Sequence, residues 1–325
     1  MDPAHLPALF PAPLLSGLLQ SADLDPARCV RSFAEPGYRD ELAAVEVLIT
    51  GWGCPAIDES ALEVMPRLRA ILHSAGSVRY FVSESCWERG ILVSTAAQAN
   101  AVPVAEFTLA AILFAAKDAF GARERYRTTH LHQNSADNAR LGAVGRKVGV
   151  IGASRVGRLV LERLRTTDLD VHLSDPYVTA DEATALGARL LDLDDLLATC
   201  DIVSLHAPDL PQTRHLLDRR RLALIPDSGV FINTARGAIV DERALIDELE
   251  SGRISAVLDV TAEEPPADDS PLYRLPNVFL TPHIAGSLGN ELSRLGQTVA
   301  DELDHYRTGQ PLVGGIPQAD LSRIA

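Results

Sequence analysis

Cysteine is scarce in this sequence. Cys29, Cys54, Cys86 and Cys200 are the only four in 325 residues, and no two stand in CxxC spacing. That scatter argues against a disulfide framework or a thiolate metal site, and predicts small buried or half-buried thiols in a reducing compartment. Positive charge is in deficit as well, with 30 Lys and Arg against 44 Asp and Glu and a formal net charge of −14. Such a surface repels polyphosphate backbones, so nucleic acid is not expected as a general partner. An anionic small substrate would need a local basic residue inside an acidic protein, which makes single arginines informative. Residues 1–20 are fairly apolar but have no basic segment, and Pro3, Pro7, Pro11 and Pro13 break them. They read as neither a signal peptide nor a membrane span, and a cytoplasmic protein is expected.

What is present is ordinary globular composition, 46% hydrophobic and 23% charged, over a length that allows two domains with separate cores. Short apolar runs at α/β spacing occupy residues 29–33, 45–50, 68–74 and 91–96, with a helical segment at 59–65. Residues 102–120 are apolar nearly all round, which predicts a buried or interface helix with Pro103 in its first turn. Residues 121–146 are polar and without period, and read as a loop-rich connection with at most a short helix. His130 and His132 lie in it, and with no supporting carboxylate or cysteine arrangement they are expected as exposed loop histidines, so no metal site is expected. From Lys147 onward KVGVI, DVHLSD, DIVSL, GVFIN, SAVLDV and NVFLT alternate with helical segments such as 157–165, 218–224 and 241–250. Continuous apolar strands between helices predict a doubly wound parallel sheet covered on both faces. A final helical stretch, 290–306, leads to a short tail, so no appended regulatory module is expected.

The first strand of that series runs into VGVIGASRVGR, where Gly152, Ser154 and Gly157 occupy the three places of a GxGxxG turn. The middle place normally lacks a side chain so that backbone can approach a pyrophosphate. Ser154 adds a Cβ there, and a hydroxyl able to donate to a phosphate oxygen. The turn alone reads equally well as a tight strand-to-helix connection that binds nothing. Asp175, ending the next strand 23 positions after Gly152, changes the balance. An acid at that distance accepts hydrogen bonds from adenosine ribose hydroxyls and repels a 2′-phosphate, so dinucleotide binding, and NAD over NADP, is expected.

Three further strands end in polar residues. GVFIN leads to Thr234, Ala235 and Arg236, SAVLDV places Asp259 at its end with Glu264 beyond, and NVFLTP leads to His283. Ligands in open α/β sheets bind beyond the carboxyl ends of the strands, where all of these fall. Taken singly, Arg236 reads as a surface ion pair, Glu264 as a loop acid and His283 as a helix-cap residue. Together they suit hydride transfer to a ketone. An imidazolium supplies the proton that the developing alkoxide needs, and a neighbouring carboxylate orients it. An arginine holds a carboxylate bidentately while polarising the adjacent carbonyl.

VGVIGASRVGR, LHAPDLPQTRHLLD, VFINTARGAIVDERALIDELESGRISAVLDVTAEEP and LTPHIAGS resemble the successive signatures of the D-2-hydroxyacid dehydrogenase family, and the resemblance extends over residues 97–287. It implies an NAD-dependent enzyme interconverting a 2-keto acid and a D-2-hydroxy acid. The implied catalytic set is Arg236, Glu264 and His283, with Arg236 also binding substrate. Cofactor contacts are implied at Gly152, Ser154, Arg155, Val156, Gly157, Asp175, His206, Ala207, Pro208, Thr213, Thr234, Ala235, Asp259 and His283. The resemblance also implies two Rossmann-like α/β domains, one flavodoxin-like and one NAD-binding. Residues 1–99 plus 288–325 would form a discontinuous substrate-binding domain, and 100–287 the NAD-binding domain, with Asn100, Val104, Ala105 and Glu106 at the start of an interdomain helix. A homodimer through the nucleotide domain is implied.

On the substrate side the resemblance implies an anion-binding turn at Ser74, Ala75, Gly76 and Ser77, although Arg79, Tyr80 and Phe81 replace the family's small and acidic residues. It also places Trp52 where the substrate side chain is read. A packed core indole is the competing expectation for Trp52. No arginine lies between Thr50 and Pro55, which disfavours phosphoglycerate. Two other readings stand: an NAD(H)-sensing corepressor-like binding protein on the same scaffold, and a formate or phosphite dehydrogenase. The glutamate at 264 argues against the formate branch, which carries an amide there.

Overall fold

The structure is a computed structural model that describes residues 1–132 and 141–320. Part of the connection expected at 121–146, namely 133–140, lies outside the described residues. The chain divides into two compact units, one formed by Met1–Ala101 with Ser287–Ala325, the other by Val102–Gly286.

In the first unit β1 (Val47–Thr50), β2 (Ala70–His73) and β3 (Leu92–Thr95) form a parallel sheet in the order β1-β2-β3. Successive side chains on a strand point to opposite faces, so a strand apolar throughout needs two covers. Ile71 and Val93 pack with Leu42, Ile57, Leu62 and Met65 on one face. Ala70 and Leu72 pack on the other with Leu9, Phe10, Leu18 and, from the helix Leu292–Arg307, Leu295, Val299 and Leu303. That helix approaches the N-terminal turns so closely that a Cβ on Gly296 would lie 1.8 Å from the Leu9 carbonyl oxygen. The run at 29–33 forms no strand. Cys29 packs on one layer and Phe33 on the other, and the exposed Arg31 between them interrupts what would have been a ladder segment.

The second unit holds β4 (Lys147–Ile151), β5 (Asp170–Ser174), β6 (Arg189–Leu190), β7 (Ile202–Leu205), β8 (Val230–Asn233), β9 (Ser255–Leu258) and β10 (Val278–Leu280). All pair in parallel, in the order β10-β9-β8-β7-β4-β5-β6. Val148, Val150, Ile202, Ile232 and Val257 face one layer of helices, while Ile151, Val203, Leu205, Phe231 and Leu258 face the other. The order reverses between β4 and β7, a topological switch point that opens a crevice at the carboxyl edge of the sheet.

Two helices differ from the sequence expectation. The apolar helix runs Ala97–Ala116, so Pro103 lies inside it rather than in its first turn. Its start is fixed by the Asn100 N–H donating to the Ala96 carbonyl (2.9 Å). By length and composition this helix could cross a membrane. However, Ala105, Ala111, Ile112, Ala115 and Ala116 pack in the helix layer of the second sheet. Residues Ala119–Thr129 form an eleven-residue helix that begins before, and runs into, the stretch expected to be loop-rich with at most a short helix. It buries no residue and presents no apolar stripe, so hydrophobic periodicity gives no sign of it. Ion pairs brace it instead, Arg127 with Glu124 (2.8 Å) and Arg125 with Asp118 (2.6 Å).

One buried titratable group gives the first unit a measurable acid sensitivity. His73 ends β2, is 3% exposed, and shares a 2.9 Å hydrogen bond between its Nδ1 and Thr50 Oγ1. Burial pushes its imidazole down from 6.5 to about 4. Below pH 6.5 the unfolded chain takes up a proton that the folded chain refuses, so stability present above that pH is lost as pH falls towards 4. The expected loss is on the order of 3 kcal/mol. Both tryptophans, Trp52 and Trp87, lie in this unit, so their emission during urea unfolding reports on it. His73→Gln keeps a polar partner for Thr50 but does not titrate, and should flatten the acid limb. An equally steep limb in the variant would rule out His73 as its source.

Candidate active site

All the strands of the second sheet are parallel, so the segments that follow them emerge at one edge. Gly152 follows β4, Asp175 β5, His206 β7, Thr234 β8, Asp259 β9 and Thr281 β10. The structure therefore brings Gly152, Asp175, His206, Thr234, Asp259 and Thr281 to one edge.

At the switch point the glycine turn is a cradle with no room for side chains at two of its three places. Gly152 has φ +94°, and a Cβ there would lie 2.7 Å from the Ala207 nitrogen. A Cβ on Gly157 would lie 2.0 Å from the Gly152 carbonyl oxygen. Ser154 is different. Its backbone is extended (φ −64°, ψ −179°), and it caps the helix Arg155–Leu164, its Oγ accepting the Gly157 N–H at 3.3 Å. Nothing in the protein's own backbone demands glycine at 154. Arg155 is exposed in the first helical turn, and Val156 packs on the helix layer. A helix N-terminus behind a turn that is glycine at 152 and 157 fits a pyrophosphate.

Asp175 holds the turn from the side. Its Oδ2 accepts the Ala153 N–H (2.7 Å) and its Oδ1 the Tyr177 N–H (2.8 Å), and each oxygen keeps capacity for another donor. His206 is buried, its Nε2 2.8 Å from Ser204 Oγ, and burial pushes its imidazole down to about 3. It is a neutral wall residue at neutral pH. Ala207 and Pro208 follow it, with the Pro208 carbonyl accepting the Thr213 hydroxyl (2.6 Å) to close the turn.

The next edge segment is fixed by Asn233, which the sequence reading missed although it ends a strand just before a sharp turn. Its side chain accepts the Ala235 N–H (2.9 Å) and donates to the Arg236 carbonyl (3.1 Å). Thr234 Oγ1 lies 2.9 Å from Thr108 Oγ1 of the apolar helix, another contact not foreseen. Arg236 is half-buried and donates from Nη1 to the Ala235 carbonyl (2.6 Å). Gly237 follows because a Cβ there would lie 2.0 Å from Thr261 backbone atoms.

Asp259 is 2% exposed. Its Oδ1 accepts from Thr281 Oγ1 (2.6 Å) and the Ile284 N–H (2.8 Å), and its Oδ2 from the Ala285 N–H (2.9 Å). Its own carbonyl accepts the His283 N–H (2.9 Å). His283 thus stands on a loop tied to β9 on both sides of it, in a left-handed conformation with φ +53°. Its Nδ1 is 2.6 Å from Glu264 Oε2, which leaves Nε2 as the nitrogen free to exchange a proton.

The substrate candidates lie in the first unit, at the carboxyl ends of β1 and β2. Ser74 is fully buried, donating from both N–H and Oγ to the Thr50 carbonyl (2.8 Å each), and Ala75 is 1% exposed. Both hold the turn rather than present side chains. Gly76 and Ser77 are half-buried at its outer side. Trp52 is 37% exposed and therefore no core indole. Its ring stands edge to face with that of His5 (centroids 5.4 Å apart), a residue the sequence reading did not mark. Among the described residues no three His, Cys, Asp or Glu side chains gather as a metal cage.

Residues 109–285 match the sequence model for the D-isomer specific 2-hydroxyacid dehydrogenase, NAD binding domain. A D-3-phosphoglycerate dehydrogenase of Methanocaldococcus jannaschii is 31% identical over 295 residues, 88% of this chain and 55% of that protein. The chain thus spans about half the length of the curated relatives it matches. Among solved structures, a putative D-isomer specific 2-hydroxyacid dehydrogenase from Polaromonas superposes with a TM-score of 0.76 at 26% identity, covering 95% of this chain and 97% of the other. A D-lactate dehydrogenase from Aquifex aeolicus, in complex with NAD and lactic acid, gives 0.70 at 26% identity and 92% coverage of each chain. Residues 109–285 are thus an NAD-binding domain, and this chain belongs to the D-isomer specific 2-hydroxyacid dehydrogenase family.

Proposed function

We propose that this chain reduces a 2-keto acid to a D-2-hydroxy acid with NADH, and runs the reverse oxidation, with His283 as the acid/base. The observation that carries this reading is the His283–Glu264 pair, displayed at the cofactor edge on a loop that buried Asp259 anchors. NADH supplies the hydride. Arg236 holds the substrate carboxylate through its planar fork and polarises the neighbouring carbonyl. Glu264 fixes the ring of His283 through Nδ1, and Nε2 delivers a proton to the oxygen that becomes the alcohol. In oxidation the same nitrogen accepts it. Ser154 and the N–H groups of the turn take the pyrophosphate, Asp175 the adenosine ribose, and the Ala235 carbonyl and Asp259 the nicotinamide amide. Phosphoglycerate does not suit the uncharged loop 50–55.

We further propose a homodimer built through the second unit. Phe114, Tyr126, Leu113 and Phe279 are exposed there, and Phe120 stacks on Phe279 (centroids 4.2 Å apart) while meeting Phe114 edge to face (5.5 Å). So much exposed aromatic surface in one unit favours a partner. A cytoplasmic setting suits the four unbridged thiols.

Three measurements test the reaction. With a panel of 2-keto acids followed by NADH absorbance, His283→Ala should lower kcat by about 10²–10⁴-fold while NADH affinity persists. Near-normal turnover in His283→Ala would end the mechanism. Intact NADH binding with no turnover in the wild type would point to a nucleotide-sensing protein.

Arg236→Lys keeps the charge and loses the fork, so kcat/KM should fall by roughly 10- to 100-fold with little change in cofactor binding. An unchanged kcat/KM would remove Arg236 from the site. Finally, NADH should be preferred over NADPH, since Asp175 repels a 2′-phosphate and Pro176 and Tyr177 offer no base to hold one. Equal kcat/KM for the two cofactors would overturn that role for Asp175.

A further inference from the structure

Two loops at the carboxyl edge of the second sheet lie against each other. The first leaves β8 and carries Arg236, and the second leaves β9 and carries Glu264. Gly237 is pressed to the second loop, since a Cβ there would overlap the Thr261 carbonyl and the Ala262 nitrogen. Beyond Gly237 the chain is firmly held. The Leu217 N–H donates to the Ile239 carbonyl (3.1 Å) and the Asp241 N–H to the Leu217 carbonyl (3.0 Å), and Leu217, Ile239 and Val240 are buried. Asp241 then caps the helix Glu242–Glu250, its Oδ1 accepting the Ala244 N–H (3.0 Å). Residues 262–265 are exposed by contrast. Glu242 ties them to this base, its Oε2 accepting the Ala262 N–H at 2.6 Å, and within the loop the Thr261 hydroxyl donates to the Glu263 carbonyl (2.6 Å).

We infer that Glu242 is a positioning residue for the reaction: it straps the loop of Glu264 to the base that also carries Arg236, and so fixes where Glu264 meets His283. The inference rests on the keto-acid reading given above, in which Glu264 orients the imidazole. The two loops differ in what they need. Arg236 stands directly on the base, and the Asn233 side chain holds its carbonyl from within (3.1 Å). Glu264 stands two residues beyond the strapped Ala262, on exposed chain that would otherwise take several courses. The imidazole that Glu264 holds at 2.6 Å would share that spread, and a displacement of about 1 Å can cost a reaction on the order of 10²-fold. Glu242 is also an acid in the first turn of a helix, where its charge favours the helix dipole. The two roles make different demands. The dipole needs a negative charge near the helix start, whereas the strap needs an acceptor oxygen at the full reach of a glutamate.

The test uses the full chain with NADH and whichever of pyruvate, oxaloacetate and phenylpyruvate it reduces fastest. Glu242→Asp keeps the charge in the first turn but is one methylene too short to reach Ala262. It should lower kcat by roughly 10-fold, the order of one hydrogen bond to a charged group, while the substrate KM, NADH affinity and Tm stay near wild type. Glu242→Gln loses the charge but keeps an oxygen at full reach, and should retain most of the turnover. A role at the helix dipole alone would reverse that order. In a Glu264→Ala background Glu242→Asp should cost little more, because the strap acts through the group already removed. A merely structural contribution would instead add in full. Undiminished turnover in Glu242→Asp, the reversed order, or full additivity would overturn the inference while the keto-acid reading stands. Unchanged kcat in Glu264→Ala, or no reduction of any of the three by the wild type, would remove that reading and the strap with it.

Discussion

The carboxylate of Asp259 is the constraint on which the candidate site turns. A buried carboxylate costs several kcal/mol in lost hydration unless donors replace the water, and hydrogen bonds to an ionised group are worth about 1.5–3 kcal/mol each. Here the donors are the Thr281 hydroxyl and the N–H groups of Ile284 and Ala285, all on the segment that follows β10. The group is thus satisfied only when that segment takes one course. That course in turn puts His283 at φ +53°, a conformation that a free chain rarely gives histidine. The strain at 283 is held by the bonds at 281, 284 and 285, and the imidazole is delivered to the edge as a result. Asp259 is a positioning residue by geometry, whatever else it binds.

The glycine turn at the switch point shows the same logic in negative form. At 152 and 157 the protein's own backbone fills the space that a side chain would need, so these glycines would be required even without a ligand. The middle place is not so constrained, and its occupant, Ser154, sits in ordinary extended geometry with its oxygen committed to the helix cap. Accepting from Gly157 leaves the hydroxyl hydrogen free to turn outward. The departure from the usual pattern is therefore compatible with the fold.

The features legible in the sequence share one property: each depends on a short stretch of chain. The strand runs announce a covered parallel sheet because Val148, Ile202, Val230 and their neighbours must be buried on both faces. The edge residues follow from the strand ends, since every strand of the second sheet runs the same way. What escaped notice depends on partners distant in sequence, or on charge rather than apolar period. The helix Ala119–Thr129 has no buried face to advertise it. Thr108 and Thr234 are 126 positions apart, and His5 meets Trp52 across three short helices and a strand that no local pattern relates. Residues 29–33 failed in the opposite sense, since their composition suits a strand but their two apolar ends pack on different layers.

The same reasoning separates what the Glu264–His283 pair does from what it does not do. Side chains 49% and 39% exposed lie in a high-dielectric setting, where ion pairs typically contribute about 0–1 kcal/mol to stability. The pair is therefore a poor candidate for holding the fold together, and the loop that carries His283 has its own anchor in Asp259. Its value is directional. With Nδ1 committed at 2.6 Å, the imidazole is left one free nitrogen and one preferred ring orientation. Burial falls on Asp259, which anchors the loop, and not on His283, which that loop presents half exposed.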